Sequence, residues 1–340
     1  MPKSSAVRYW TVLLVCFGMV LAAIYISLTN GVFDLTVTDV LKTLLRIDPV
    51  PEHDLVIFDF RLPRIVAAAL VGFGLGAAGA AIQGISRNDL ADPGILGINA
   101  GAGAAIVVFM FFFEGRLTGS GWLAILAMPL FGWIGGLGAA VLIYFFSWRN
   151  GRLDPQRLIL VGIAAGSGLG ALSLYLSLKM NPQDFEMATV WLTGTIWNAN
   201  WPYIAAMLPW LVLFVPIIIR KSPVLDLLQL GEDRAKGLGV ATEREKNILL
   251  FSSIGIVSAC VSVSGNIGFV GLIAPHIAKR LVGIHHDRAI PVSGTIGMLL
   301  VIAADFIAKT VFSPAELPVG VVISIIGIPY FVYLLSKTRV

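Results

Sequence analysis

The acid–base and metal-binding side chains of this 340-residue chain are few and scattered. Asp305 lies inside an apolar run, with Lys309 one helical turn later. A buried acid in a bilayer costs about 3 kcal/mol or more and is a functional candidate by default. The two residues could equally neutralise each other along one helix face. An ion-coupled carrier usually needs several acids near the midplane, and this chain does not offer them. His285 and His286 are adjacent, ahead of Asp287 and Arg288. Neighbouring side chains on a helix diverge by about 100°, which argues against a shared metal. His276, beside Pro275, reads as a polar contact at a helix end. Cys16 and Cys260 both lie in apolar runs and suit neither a disulfide framework nor a metal pair. The chain has no Gly-x-x-x-x-Gly-Lys-Ser/Thr, His-Glu-x-x-His, Cys-x-x-Cys or Gly-x-Ser-x-Gly motif. Catalysis, a resident cofactor and ATP binding through a phosphate loop are therefore not expected.

The elements that position these residues are read from composition. Apolar residues make up 57% of the chain and charged residues 13%, against about 25% charged in soluble domains. A bilayer-crossing helix needs about 20 apolar residues. Runs of that kind occur at 10–28, 64–85, 94–113, 122–147, 158–178, 202–219, 247–264, 267–283, 291–308 and 319–336. These predict an all-α polytopic membrane protein with ten spans, in which the run at 267–283 is short and interrupted by Pro275. With both termini placed in the cytoplasm, lysine and arginine divide 17 inside against 7 outside, as the positive-inside rule requires. The net charge of +4 thus reflects membrane orientation rather than nucleic-acid binding.

Glycines recur three or four apart at Gly72, Gly76 and Gly79, at Gly132, Gly135 and Gly136, and at Gly162, Gly166 and Gly170. Such faces let helix backbones approach closely; a flexible gate is the other reading. Two polar segments stand out within a chain that reads as one transmembrane domain over 1–340. Loop 29–63 carries Asp34, Asp39, Asp48, Glu52, Asp54 and Asp59 before Arg61-Leu62-Pro63-Arg64. Loop 220–246 contains two short amphipathic stretches broken near Gly231. Its apolar face needs either a partner surface or the chain's own bundle.

Particular blocks of residues then carry more weight than composition. Arg61–Arg64 leads to Gly-Ala-Ala-Ile-Gln-Gly-Ile-Ser-Arg-Asn-Asp-Leu-Ala-Asp-Pro-Gly-Ile-Leu-Gly-Ile-Asn-Ala-Gly-Ala-Gly, ending at Gly103. Leu-Val-Gly-Ile-Ala follows at 160–164 and Trp-Leu-Thr-Gly-Thr-Ile-Trp-Asn-Ala-Asn-Trp at 191–201. Leu-Gly-Glu-Asp-Arg-Ala-Lys-Gly-Leu-Gly-Val stands at 230–240, Ser-Gly-Asn-Ile-Gly-Phe-Val-Gly-Leu-Ile-Ala-Pro-His-Ile at 264–277 and Glu-Leu-Pro-Val-Gly at 316–320. In this order they resemble the iron-siderophore and cobalamin permease family of ATP-binding-cassette importers. They are more similar to its ferric-siderophore branch in Gram-positive bacteria than to its cobalamin branch. The resemblance implies the type II importer permease fold in the cell membrane and import of a ferric-siderophore complex. A cobalamin or haem permease of the same family and an ion-coupled secondary transporter are the alternatives. It also implies a second permease subunit, identical or paralogous, a cytoplasmic ATPase dimer and an external lipoprotein that binds the siderophore. Leu228, Gly231, Glu232, Asp233, Ala235, Leu238 and Gly239 match the segment that docks on the ATPase. On this reading Leu228, Ala235 and Leu238 face the ATPase groove, with Glu232 and Asp233 at its edge. Arg61 and Arg64 match arginines that meet acids of the binding protein, and Lys309 stands where a third arginine is usual. From the residues alone, Arg61 and Arg64 could instead be interfacial arginines reaching to head groups.

Overall fold

The computed structural model describes residues 3–30, 35–47, 50–113, 122–149, 152–313 and 315–337. Asp34 and Asp48 of loop 29–63 lie outside them. The described chain is helical apart from turns and one pair of two-residue strands, in which Trp148 faces Leu153 and Arg149 faces Arg152. In chain order the helices are α1 (Lys3–Thr29), α2 (Val37–Leu44), α3 (Pro51–Asp54), α4 (Leu62–Ser86), α5 (Ile98–Phe113), α6 (Trp122–Ser147) and α7 (Pro155–Ser177). Then follow α8 (Pro182–Leu192), α9 (Trp201–Arg220), α10 (Ser222–Gln229), α11 (Glu232–Gly237), α12 (Thr242–Ser264), α13 (Val270–Val282), α14 (His286–Thr310) and α15 (Val319–Lys337). A π-helical stretch, Leu55–Arg61, joins α3 to α4, so helix runs unbroken from Pro51 to Ser86.

Every one of the ten apolar runs contains a helix, but among the described residues eight helices are long and apolar enough to cross a membrane. The helices at Ile98–Phe113 and Val270–Val282 fall short of that length, so the ten-span count is not reached on this measure. Loop 29–63 also departs from expectation: it holds α2, α3 and the π-helical stretch rather than open coil. Pro63 is tolerated there because it occupies the first turn of α4. Short polar caps start several spans. Asp154 accepts from the Gln156 and Arg157 amides ahead of α7, and Asn200 accepts from the Tyr203 amide ahead of α9.

The centre of the bundle is α4, packed by α12 and α14, and these three helices are the most buried spans. Helix α14 runs antiparallel to α4 along its whole length. A Cβ at Gly72 would strike the backbone of Gly297, and one at Gly76 would strike Ser293. The Ser293 hydroxyl donates to the Gly76 carbonyl at 2.9 Å. Gly79 meets Gly271 of α13 in the same way, and Gly135 of α6 meets α5 at Gly101 and Ala105. Close packing therefore accounts for the glycines of α4 and for Gly132, Gly135 and Gly136 of α6, though not for Gly138, which has nothing opposite it. It does not account for Gly166 and Gly170 of α7: a Cβ at Gly170 would find nothing within 4 Å, and one at Gly166 only ordinary contacts.

Replacing Gly297 with valine should force α14 off α4. Overpacking of this kind costs about 1–3 kcal/mol, and here the obstructing atoms are backbone. A lower thermal midpoint and reduced yield in detergent are expected, whereas Gly170→Ala should leave both unchanged.

Candidate translocation, docking and coupling sites

At one end of the α4–α14 pair, the basic residues singled out in the sequence come together. Arg64 lies in the first turn of α4 and Asp305 one turn from the end of α14. The Arg64 Nε donates to Asp305 Oδ1 at 2.8 Å, its Nη2 reaches the same oxygen at 2.8 Å, and its Nη1 reaches Glu316 Oε2 at 2.8 Å. Asp305 is 1% exposed, so this two-pronged pairing removes a charge that burial would otherwise penalise heavily. The partner of Asp305 is thus Arg64, 241 positions away, and not Lys309 on its own helix. The i,i+4 pairing gives way because a planar guanidinium offers the carboxylate two directed bonds. Lys309 instead donates to Ser27 Oγ at 2.8 Å and to the Ser27 carbonyl at 3.1 Å, fastening α1. Arg61 donates to the Leu28 carbonyl.

Arg61, Arg64, Lys309, Glu52 and Glu316 line one cavity of about 840 Å³, walled by apolar side chains that include Phe60 and Trp197. Arg61 is only 9% exposed and the Arg64 side chain 13%. Neither is the freely reaching interfacial arginine that a head-group anchor would be.

At the opposite end lies the segment around α10 and α11. Its two halves are hinged at Gly231 and closed at Gly239, whose φ values of +101° and +82° suit glycine. Leu225, Leu228 and Ala235 are buried within the chain, while Leu230 and Leu238 are exposed. This corrects the expected orientation. Leu228 and Ala235 pack inward, because a helix beside the bundle buries its best apolar stripe there first, and Leu238 is left exposed. Glu232 is tied inward to Lys246 and lies 3.7 Å from Arg87, whereas Asp233 is exposed. Burial raises the Glu232 carboxyl, but Lys246, with Arg87 and Lys236 behind it, holds it below its ordinary value.

Asp226 of α10, which the sequence reading passed over, meets both histidines. Its Oδ1 accepts from the His286 amide at 2.9 Å and lies 2.6 Å from His286 Nδ1, while Oδ2 lies 3.2 Å from His285 Nδ1. Burial raises the Asp226 carboxyl, and the bonds from His286 and His285 outweigh it and hold it below the usual carboxylate value. The adjacent histidines thus converge on one carboxylate instead of one metal. Among the described residues, no group of three His, Cys, Asp or Glu side chains is placed to hold a metal ion.

A third site lies along α7. Gly162, Gly166, Ser167, Gly170, Ser173 and Ser177 line a cavity of about 800 Å³ that faces Asn99, Thr193 and Asn266. Asn99 donates to Asn266 Oδ1 at 2.6 Å. No charged side chain among the described residues lines it. Sequence reading recognised these glycines but not what they border. Their spacing on α7 matches that of packed glycines, and only the absence of a neighbour distinguishes them.

Residues 19–337 match the FecCD transport family. The chain is 56% identical to the iron-uptake system permease protein FeuC of Bacillus subtilis (strain 168), over 95% of this chain and 96% of that one. It is 44% identical to the iron(3+)-hydroxamate import system permease protein FhuG of the same organism, over 96% and 97% of the two chains. A solved inward-facing structure of a metal-chelate type ABC transporter superposes with a TM-score of 0.82 at 30% identity, covering 96% of this chain and 99% of that one.

Breaking the buried pair should show strong coupling. Arg64→Ala or Asp305→Ala alone should cost about 3–5 kcal/mol, and the Arg64→Met/Asp305→Leu double variant much less than their sum. Thermal unfolding in detergent reads this, and additive losses would show that the pair is not an energetic unit. The Asp226 pairing has a defined pH window. A carboxylate lowered on folding contributes fully above its unfolded pKa of ~3.9. That contribution disappears as pH falls through the lower folded value. The stability gap between wild type and Asp226→Asn should therefore still be present at pH 5 and shrink below about pH 4.

Proposed function

The chain belongs to the FecCD transport family, and from that we propose that it is the permease subunit of an ATP-binding-cassette importer that carries a ferric-siderophore complex into the cell. The names of its relatives as iron-uptake and iron-hydroxamate permeases support this cargo class. The observation that carries the mechanism is the α7 face. A chelate of this kind is bulky, and its iron already has its ligand positions filled by the siderophore. It needs a wide, weakly binding passage rather than a filter of metal ligands. The α7 cavity is uncharged, edged by glycine, serine and asparagine, and open enough for larger side chains. A second permease, identical or paralogous, would close it from the other side, and the two would open alternately to each face of the membrane.

The excess of lysine and arginine puts the 220–246 end in the cytoplasm together with both termini. There the exposed Leu230 and Leu238, with Asp233 beside them, form the surface offered to an ATPase dimer. Gly231, Glu232 and Gly239 shape that surface, and Leu228 and Ala235 anchor it to the bundle. At the outer end Arg61, Arg64 and Lys309 line one cavity, into which acids of an external binding protein would reach. Glu316 is the more exposed of Arg64's two partners, with a side chain 30% accessible. Docking would exchange Glu316 for an incoming carboxylate while Asp305 keeps its hold.

The test is uptake of radiolabelled iron by the permease reconstituted with its ATPase and binding protein, offered as tricatecholate, trihydroxamate and citrate complexes. ATP should drive accumulation of one of these classes, and an ion gradient alone should drive none; the reverse pattern would favour a secondary transporter. Gly170→Trp should fill the α7 cavity without unfolding the chain. Uptake should then fall about tenfold or more, with ATPase retained; normal uptake would remove α7 from the pathway.

A further inference from the structure

The coupling surface is tied to one particular span by one carboxylate. Helix α14 starts without a side-chain cap from its own N-cap residue, His285, yet the first amides of a helix need acceptors. Asp226, from α10, supplies one for the His286 amide and holds the His286 ring by Nδ1. His286 is fully buried. Its far nitrogen faces Gly84 of α4, where a Cβ would strike it. Helices α10, α14 and α4 therefore meet around a single imidazole.

From that point the α4–α14 pair behaves as one rod. Backbone contacts at Gly72–Gly297 and Gly76–Ser293 run through its middle. The Arg64–Asp305 pair clamps its far end, and Arg87–Glu232 ties the near end of α4 to α11. A 25-residue helix spans about 37 Å, so the rod joins the cytoplasmic loop to the cavity lined by Arg61, Arg64 and Lys309. The leucine contacts of α10 can slide, whereas a carboxylate held by directed donors from α14 cannot without breaking bonds.

We propose that Asp226 is a positioning residue that makes the cytoplasmic loop and the α4–α14 pair move as one body, so that events at the ATPase reach the outer cavity. This rests on the reading of the 220–246 loop as a coupling surface. Asp226 touches neither cargo nor nucleotide and acts through His286. A residue that merely capped α14 would affect stability and nothing else.

The complex co-purified with its ATPase and reconstituted with its binding protein in liposomes tests this. ATP hydrolysis and uptake of radiolabelled iron from the three ferric complexes are read together. Asp226→Ala should keep its ATPase and its hydrolysis rate while uptake per ATP falls about fivefold or more, the low end of couplings between sites. Asp226→Asn should keep more than half of wild-type uptake per ATP, because its amide oxygen still accepts both bonds from His286. Unchanged uptake per ATP in Asp226→Ala overturns the proposal. So does parallel loss of ATPase retention and uptake in both variants, which would assign Asp226 to folding or docking alone. A wild-type chain that retains no ATPase would show that the coupling reading itself has failed, before any variant is made.

Discussion

Lipid tails are as apolar as leucine, so helices inside a bilayer gain little by hiding from them and must hold together by close packing. The contact between α4 and α14 meets that constraint, and the rest of the structure is arranged around it. Glycine at 72, 76 and 297 removes the side chains that would separate the backbones. Once the two helices touch, α12 and α13 find their own small-residue seats on α4, at Gly74 and Gly79. The spans α1, α6, α7, α9 and α15 bury much less of themselves. Their remaining surface is available to lipid, to a partner permease or to cargo.

Charge is treated in the opposite way at the ends of this rod. A lone Asp305 at its depth would be costly, and Arg64 neutralises it while tying the two helices together. The pairing leaves Arg64 with one buried acid and one more accessible acid, Glu316. Between the ends, the cavity along α7 is uncharged among the described residues. Its lining mixes glycine, serine, threonine and asparagine with the apolar Ile163, Leu174, Phe185 and Leu192.

The 220–246 loop has two faces for a physical reason. Leu225, Leu228 and Ala235 secure it to the bundle, while Leu230 and Leu238 remain exposed. An exposed apolar pair of this kind in an otherwise polar segment suits a docking surface. Asp226 adds direction to that attachment by bonding to the first residue of α14.

Most of the architecture is legible in sequence because helix length and apolarity are local properties. All ten apolar runs form helices, and the 220–246 segment breaks at Gly231 as its pattern implies. The run at 267–283 reads as short, and α13 is short, but the helix passes through Pro275 instead of being interrupted there; the shortness of α5 was not legible. The sequence by itself determined the membrane class, the helical elements, the family and the set of basic residues that gather at one end of α4 and α14. Only the tertiary structure decided which partner each charge takes and which glycine stripe is packed or open. Arg64 finds Asp305 from 241 positions away, and Asp226 finds His286 from 60. The glycines of α4 and α7 share a spacing and differ only in what stands opposite. Spacing along a chain specifies a helix face, but the neighbour of that face is set by how whole helices pack, and one chain segment carries no record of it.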